Sequence, residues 1–247
     1  MRDFYVLNKN KMIKMKIAIT LLVGLISLSG FFVSAQTADE VISKHVEGLG
    51  GKEKLAALKS IRMTGNMSAQ GTDISLVISK VHQVGMRMDL DIMGSANYQL
   101  LDDKTGWSFF PVMGMTEPKE MEAPVYKTSV NQLDVQGALV NYKDKGATVE
   151  LVGKEKVDGT DAYKIKVTYK NGHIATYFID EKTNRHVKTV SKSVANGSET
   201  EVETTFNDFK QNADGYWFPY TVTNAQGTVI FDKIETNVNL DSKIFSN

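Results

Sequence analysis

The sequence predicts a mainly β domain with helices (α+β): one curved antiparallel sheet or barrel of about ten or eleven strands, with helices on one side. Three observations predict it. From Ile61 onward, segments that alternate apolar and polar residues follow one another almost without interruption. Tight-turn pairs join them, namely Asp158-Gly159, Asn171-Gly172, Asn196-Gly197 and Asp214-Gly215. Such pairs adopt positive φ cheaply and favour antiparallel hairpins. Helical periodicity is confined to short stretches, so the βαβ rhythm of a parallel sheet is missing.

Taken in order, the chain opens on a basic stretch, "KNKMIKMK" (9–16), and an apolar run, "IAITLLVGLISLSGFFV" (17–33). Small residues in "VSA" (33–35) then suit cleavage near Ala35 or Gln36. Residues 1–35 are expected to be a signal peptide and 36–247 one exported domain. A transmembrane anchor is the competing reading; the run is short for it, and a helix start follows directly. That start is "TADE" (37–40), a capping box with Thr37 as cap and Glu40 reaching back. Val41, Ile42, Val46 and Leu49 continue at helical spacing until "GLGG" stops the helix, and "KEKLAALKS" (52–60) is a second, shorter one.

The strand "GMRMDLDIMG" (85–94) sets Met86, Met88, Leu90 and Ile92 against Arg87, Asp89 and Asp91. Period-2 alternation puts these sets on opposite faces. "YQLLDD", a turn at "DKTG" and "WSFFPVMGM" follow. Residues 120–146 lack alternation; Leu133, Ala138, Leu139 and Tyr142 can share a helical face, so one or two short helices are expected there. Later strands end in "YWFPYTVT" and "TVIFDKIETNV", with Pro219 suggesting an edge or a bend. Past the leader, all eight methionines lie between Met63 and Met121. Met fills awkward gaps in ordinary cores, and it also lines adaptable apolar binding surfaces. The methionines alone leave both readings open.

Charge and composition exclude several classes. The chain has 29 basic and 29 acidic residues, and the mature part 24 and 28, about −4. No basic run offers a footprint for nucleic acid. Cysteine is absent, which excludes disulfides, thiol catalysis and an N-terminal lipidated Cys. His45, His82, His173 and His186 are scattered without metal-ligand spacing, and no G-x-S-x-G or phosphate loop occurs. Asp89 and Asp91 share a strand face, as on an ordinary solvated sheet surface. No catalytic constellation, metal or cofactor is expected.

The order of the helix pair, "GGKEKLAALKSIRMTG", "GMRMDLDIMG", "LLDDKTGWSFFP", a helical insert and a closing "VNLDSKIFS" resembles the LolA-like family of periplasmic outer-membrane lipoprotein carrier and sorting proteins. In "DDKTGWSFFP", Asp102, Asp103, Thr105 and Gly106 match the family's turn, Trp107 and Phe109 its aromatic strand, and Pro111 the proline that ends it. Asp241 and Phe245 match its terminal segment. The resemblance implies a half-open antiparallel barrel covered by helices and enclosing an apolar cavity that takes lipid or the acyl chains of lipoproteins. It implies a monomeric periplasmic carrier, not an enzyme, with an inner-membrane donor complex and an outer-membrane acceptor as partners. Met86, Met88, Leu90, Ile92, Trp107 and Phe109 are the expected cavity wall. Each sheltered acyl CH₂ would contribute ~0.8 kcal/mol. Family members carry a basic residue, usually Arg followed by Pro, that helps hold the helical lid. Here His82 in "KVHQV" takes that place by spacing, and it is the candidate for gating. The alternative from another class is an envelope interaction module of the same fold with a closed core and no ligand.

Overall fold

Thr37 caps the first helix as its sequence predicts. Its Oγ1 accepts from the Glu40 backbone N–H at 3.2 Å, and its own N–H donates to Glu40 Oε2 at 3.0 Å. The computed structural model describes residues 36–69, 71–195 and 198–247; residues 1–35, expected to be a signal peptide, and the hairpin pair Asn196-Gly197 lie outside the described residues. Helix α1 (Ala38–Gly48) buries Val41, Ile42, His45 and Val46. The short α2 (Lys52–Ala56) buries Leu55, and Leu58 just after it is also buried.

Strands follow as β1 (Ser60–Ala69), β2 (Thr72–Val81), β3 (Gly85–Ile92), β4 (Ser95–Asp102), β5 (Gly106–Phe109) and β6 (Lys119–Glu120). After α3 (Ala123–Ser129) come β7 (Thr148–Val157), β8 (Thr160–Thr168), β9 (Ile174–Asp180), β10 (His186–Ala195), β11 (Ser198–Gln211), β12 (Trp217–Asn224) and β13 (Gly227–Thr236). They form one antiparallel sheet in the order β6-β5-β4-β3-β2-β1-β13-β12-β11-β10-β9-β8-β7. The described residues thus hold thirteen strands, more than the ten or eleven expected. One of them, β6, is two residues long and too short to show a period.

The sheet is open at β6 and β7, and it curves. In a flat sheet of this order β2 and β8 would lie about 34 Å apart, at about 4.8 Å per strand. Yet Leu76 of β2 and Ile165 of β8 belong to one packed cluster with Val41, Ile42 and Val46 of α1. The sheet therefore wraps around its helices, which sit in the concavity.

Local departures from the sequence reading have local causes. "WSFFPVMGM" is not one strand: Pro111, which has no N–H to give a ladder, opens a 3₁₀ turn at Pro111–Met113. The stretch 120–146 holds only α3 and a 3₁₀ turn, Val130–Leu133, before irregular chain. Leu133, Leu139 and Tyr142 are buried as their spacing suggests. Positive φ at Gly137, Asn141 and Gly146 prevents a helix from joining them. Asp158 and Gly159 both take positive φ, the geometry expected of that hairpin pair. Pro219 lies where β12 has left β13, whose pairing with β12 covers only Thr221–Asn224.

The C-terminal segment crosses the convex face. Arg87 Nη1 donates to the Ile244 carbonyl at 3.3 Å, and Tyr98 Oη donates to Asn247 Oδ1 at 2.7 Å. Arg87 also lies over the Tyr98 ring, 4.4 Å from its centroid.

Candidate functional site

The alternation of β3 sets the geometry of the concave face. Register carries each apolar residue of β3 onto a row that crosses neighbouring strands. One row reads Ile234–Met63–Ile78–Met88–Gln99 and the next Leu76–Leu90–Asn97. Ile74 and Ile92 pair at the far end, and Lys80, Met86 and Leu101 at the near end. Met86 and Leu90 are buried, at 4% and 8% exposure. Met86 packs with Leu101 and Leu133 under Met121, Tyr126 and Val130. Met88 and Ile92 are only half-buried against the main core, as are Met63, Met67, Ile78, Phe218, Tyr220 and Val222. The concave side therefore has two parts: a portion sealed by helices and insert, and a half-buried apolar stripe rich in methionine.

Trp107 and Phe109 do not join Met86, Met88, Leu90 and Ile92 on that face. Trp107 pairs with Leu100, whose partner is Arg87; Phe109 pairs with Tyr98, whose partner is Asp89. Both aromatics stand on the convex, charged side, where Phe109 packs on Tyr98 at 5.6 Å between ring centroids. Alternation fixes a face within a strand but not its parity across a turn. The neighbouring Phe110 is the residue that packs against the concave core. The Phe109-Phe110 doublet was the available signal, since consecutive residues point to opposite sides.

His82 sits in the β2–β3 turn, facing the insert. Its Nδ1 lies 3.5 Å from Asp134 Oδ1, and that nitrogen is buried without a hydrogen-bond partner. Burial holds its pKa below the usual range, Asp134 pulls it upward and Lys145 downward again. Asp134 is itself held by Lys145 Nζ at 2.6 Å. The insert is further tied down by Gln83 N–H to the Leu133 carbonyl at 2.9 Å and by Gln136 Nε2 to the Ala56 carbonyl at 2.8 Å.

Lys80 was not anticipated. It continues the inward parity of Ile74, Leu76 and Ile78, and its Nζ donates to the Gln132 carbonyl at 3.4 Å. Burial pushes its pKa down to about 8, against the attraction of Asp134. The face thus carries a cation of weakened basicity beside its methionines. His45 and His186 are core groups. His45 Nδ1 donates to the Asn184 carbonyl at 2.8 Å, and the His186 ring lies between Tyr177 and Phe206.

An open, curled antiparallel sheet around helices is a recognisable architecture. A solved LolA superfamily protein from Nitrosomonas europaea matches over 86% of this chain and 99% of its own, at 14% identity and a TM-score of 0.54. An outer membrane lipoprotein-sorting protein domain from Vibrio parahaemolyticus matches over 84% and 95%, at 16% identity and 0.50. The fold is LolA-like. A DUF1329 family protein from Desulfovibrio piger shares it over 86% of this chain and 98% of its own, at 12% identity and 0.54. No family model matches the sequence, and no curated protein does. Within the LolA-like fold, the half-buried methionine stripe occupies the wall of the concavity. Among the described residues, no helix is long and apolar enough to cross a membrane.

Proposed function

We propose that this chain is a periplasmic carrier that shelters lipid, or the acyl chains of lipoproteins, on its concave face for transfer toward the outer membrane. The observation that carries the reading is the row Ile234–Met63–Ile78–Met88, continued by half-buried Ile92 and Met67. Ile234 is buried, but Met63, Ile78 and Met88 stay only half-buried beside the packed core, on the concave face of an open sheet. Side chains of this kind offer an acyl tail dispersion contacts without polar demands, and flexible methionines adapt to tails of different shape. Likeness in fold to a lipoprotein-sorting domain supports the same reading. The leader at 1–35 would export the chain, and an inner-membrane donor and an outer-membrane acceptor would flank it. Transfer would be passive, with the insert lifting at the His82–Asp134 contact and affinity differences setting direction.

Mass spectrometry of an organic extract of the exported protein tests this. Stoichiometric phospholipid or acylated peptide is expected, and Met88→Asp should lose it while remaining folded. An empty extract together with no binding of an apolar dye would leave an envelope module without a ligand.

A further inference from the structure

We propose that two hairpin tips at one end of the sheet insert into a lipid surface, with Met93 and Met113 as the inserting side chains. The proposal goes beyond the carrier reading, because it concerns how the protein meets a bilayer and requires no ligand on the concave face. Met93 is 85% exposed and Met113 78%, the highest values among the exposed large hydrophobics, with Val112 at 45% beside them. Single exposed apolar residues are common and mean little. These three are brought together. Buried Asn97 donates through Nδ2 to the Ser95 carbonyl at 2.7 Å and accepts from the Val112 N–H at 3.3 Å, coupling the β3–β4 tip to the 3₁₀ turn after β5.

The tip at Met93 is also built against local preference. Among the described residues, seven non-glycine positions have positive φ. Six are Asn, Asp or Gln, which tolerate that geometry or suit exposed turns; the seventh is Met93, at φ 54, followed by Gly94 at φ 81. A turn of this kind is served best by Asn-Gly or Asp-Gly. The fold gains nothing from a strained, solvent-exposed methionine there, so the residue answers to something outside the fold. Charge points to the partner. No charged residue occurs from Ile92 through Leu101 or from Thr105 through Thr116, and the carboxylate at the first tip, Asp91, is turned back to accept from the Gly94 N–H at 2.8 Å. Asp91 and Glu117 flank them, which disfavours an anionic partner. Apolar tips flanked by these two carboxylates suit partition into a zwitterionic bilayer better than into an anionic one. The same end of the sheet carries half-buried Met67, Ile92 and Val229 on the concave side, so the tips extend its apolar lining outward.

Flotation of the exported full chain with phosphatidylcholine vesicles tests the proposal, using Met93→Asn, Met113→Asn and the double variant. Wild type should float, in a manner insensitive to about 0.5 M salt. Each substitution should weaken vesicle partition by at least about tenfold. Met93→Asn should meanwhile hold or raise the melting temperature, since Asn tolerates positive φ, which separates lost binding from lost folding. The proposal is overturned if wild type stays unbound, if the double variant floats equally well, or if salt abolishes binding. It is overturned as well if the tips prove to drive self-association in ultracentrifugation. Retained flotation by Met88→Asp after losing co-purifying lipid would show that tip and concave face act separately.

Discussion

Phe245 fills the space above Gly85: a Cβ placed on Gly85 would lie 2.3 Å from the Phe245 ring. The C-terminal 3₁₀ turn thereby clamps the start of β3 from the convex side, directly behind the strand that carries Met86 and Met88 on the other. Phe245 is itself 3% exposed, so the clamp is part of the packed structure.

Gly85→Ala should accordingly destabilise the protein by about 1–3 kcal/mol through overpacking. Phe245→Ala should cost about 3–5 kcal/mol through the cavity it leaves. In the double variant the cost of the alanine at 85 should largely vanish, because its steric partner is gone. Urea titrations of the four proteins measure this coupling; additive effects would show that the two residues do not share the space.

Asp134→Asn should loosen the insert. It replaces the charged acceptor of Lys145 by an amide and removes the negative charge that faces His82 and attracts Lys80. A loss of about 1–3 kcal/mol is expected. Lys80, already pushed to about 8 by burial, should fall further once the attraction is removed. Hydrogen exchange at residues 130–147 and NMR titration of the Lys80 side chain read out the two effects. An unchanged Lys80 titration would mean that Asp134 does not act on it.

Stability should decline as the pH falls below about 6.5. Burial holds His45 down to about 4 and His186 down to about 3, so both are neutral in the folded state. Each folded pKa is depressed, so the unfolded chain binds more protons once the pH drops below the ordinary histidine value. Each histidine then contributes a loss of about 1.4 kcal/mol per pH unit until its folded pKa is reached. Carboxylates join only below about pH 4.5. His82 and His173, also held below the usual range by burial, add to the loss. Urea midpoints between pH 7 and 4.5 should show this slope, and His186→Phe should reduce it by about 1.4 kcal/mol per pH unit.

Much of the fold was legible because its signals are local. The Thr37–Glu40 capping box, the Asp158-Gly159 hairpin and the alternation of β3 each follow from a few adjacent residues. The face of β5 was not, because its parity depends on how many residues the Asp102–Gly106 turn consumes. The insert holds the short helices expected of it, but at residues 123–133; the residues from Leu133 to Tyr142 are buried without a helix because Gly137 and Asn141 turn the chain. The Asp134 cluster draws on side chains from β2, the β2–β3 turn and the insert, and no sequence window contains them together. Lys80 could have been found: it continues the parity of Ile74, Leu76 and Ile78, and a lysine at an inward position is informative.

Face assignment around the candidate site is open to direct measurement, because the chain has no cysteine of its own. Single substitutions Ile78→Cys and Met88→Cys place a thiol on the half-buried concave stripe, and Phe109→Cys places one on the convex face. An apolar ligand seated in the hollow should slow maleimide labelling at 78 and 88 by about tenfold or more, since a contacting acyl chain excludes both water and reagent. Labelling at 109 should not change. Protection at 109 without protection at 88 would move the ligand to the convex side and remove the methionine stripe from the site. Equal labelling at all three positions, with and without ligand, would leave the concavity without an occupant.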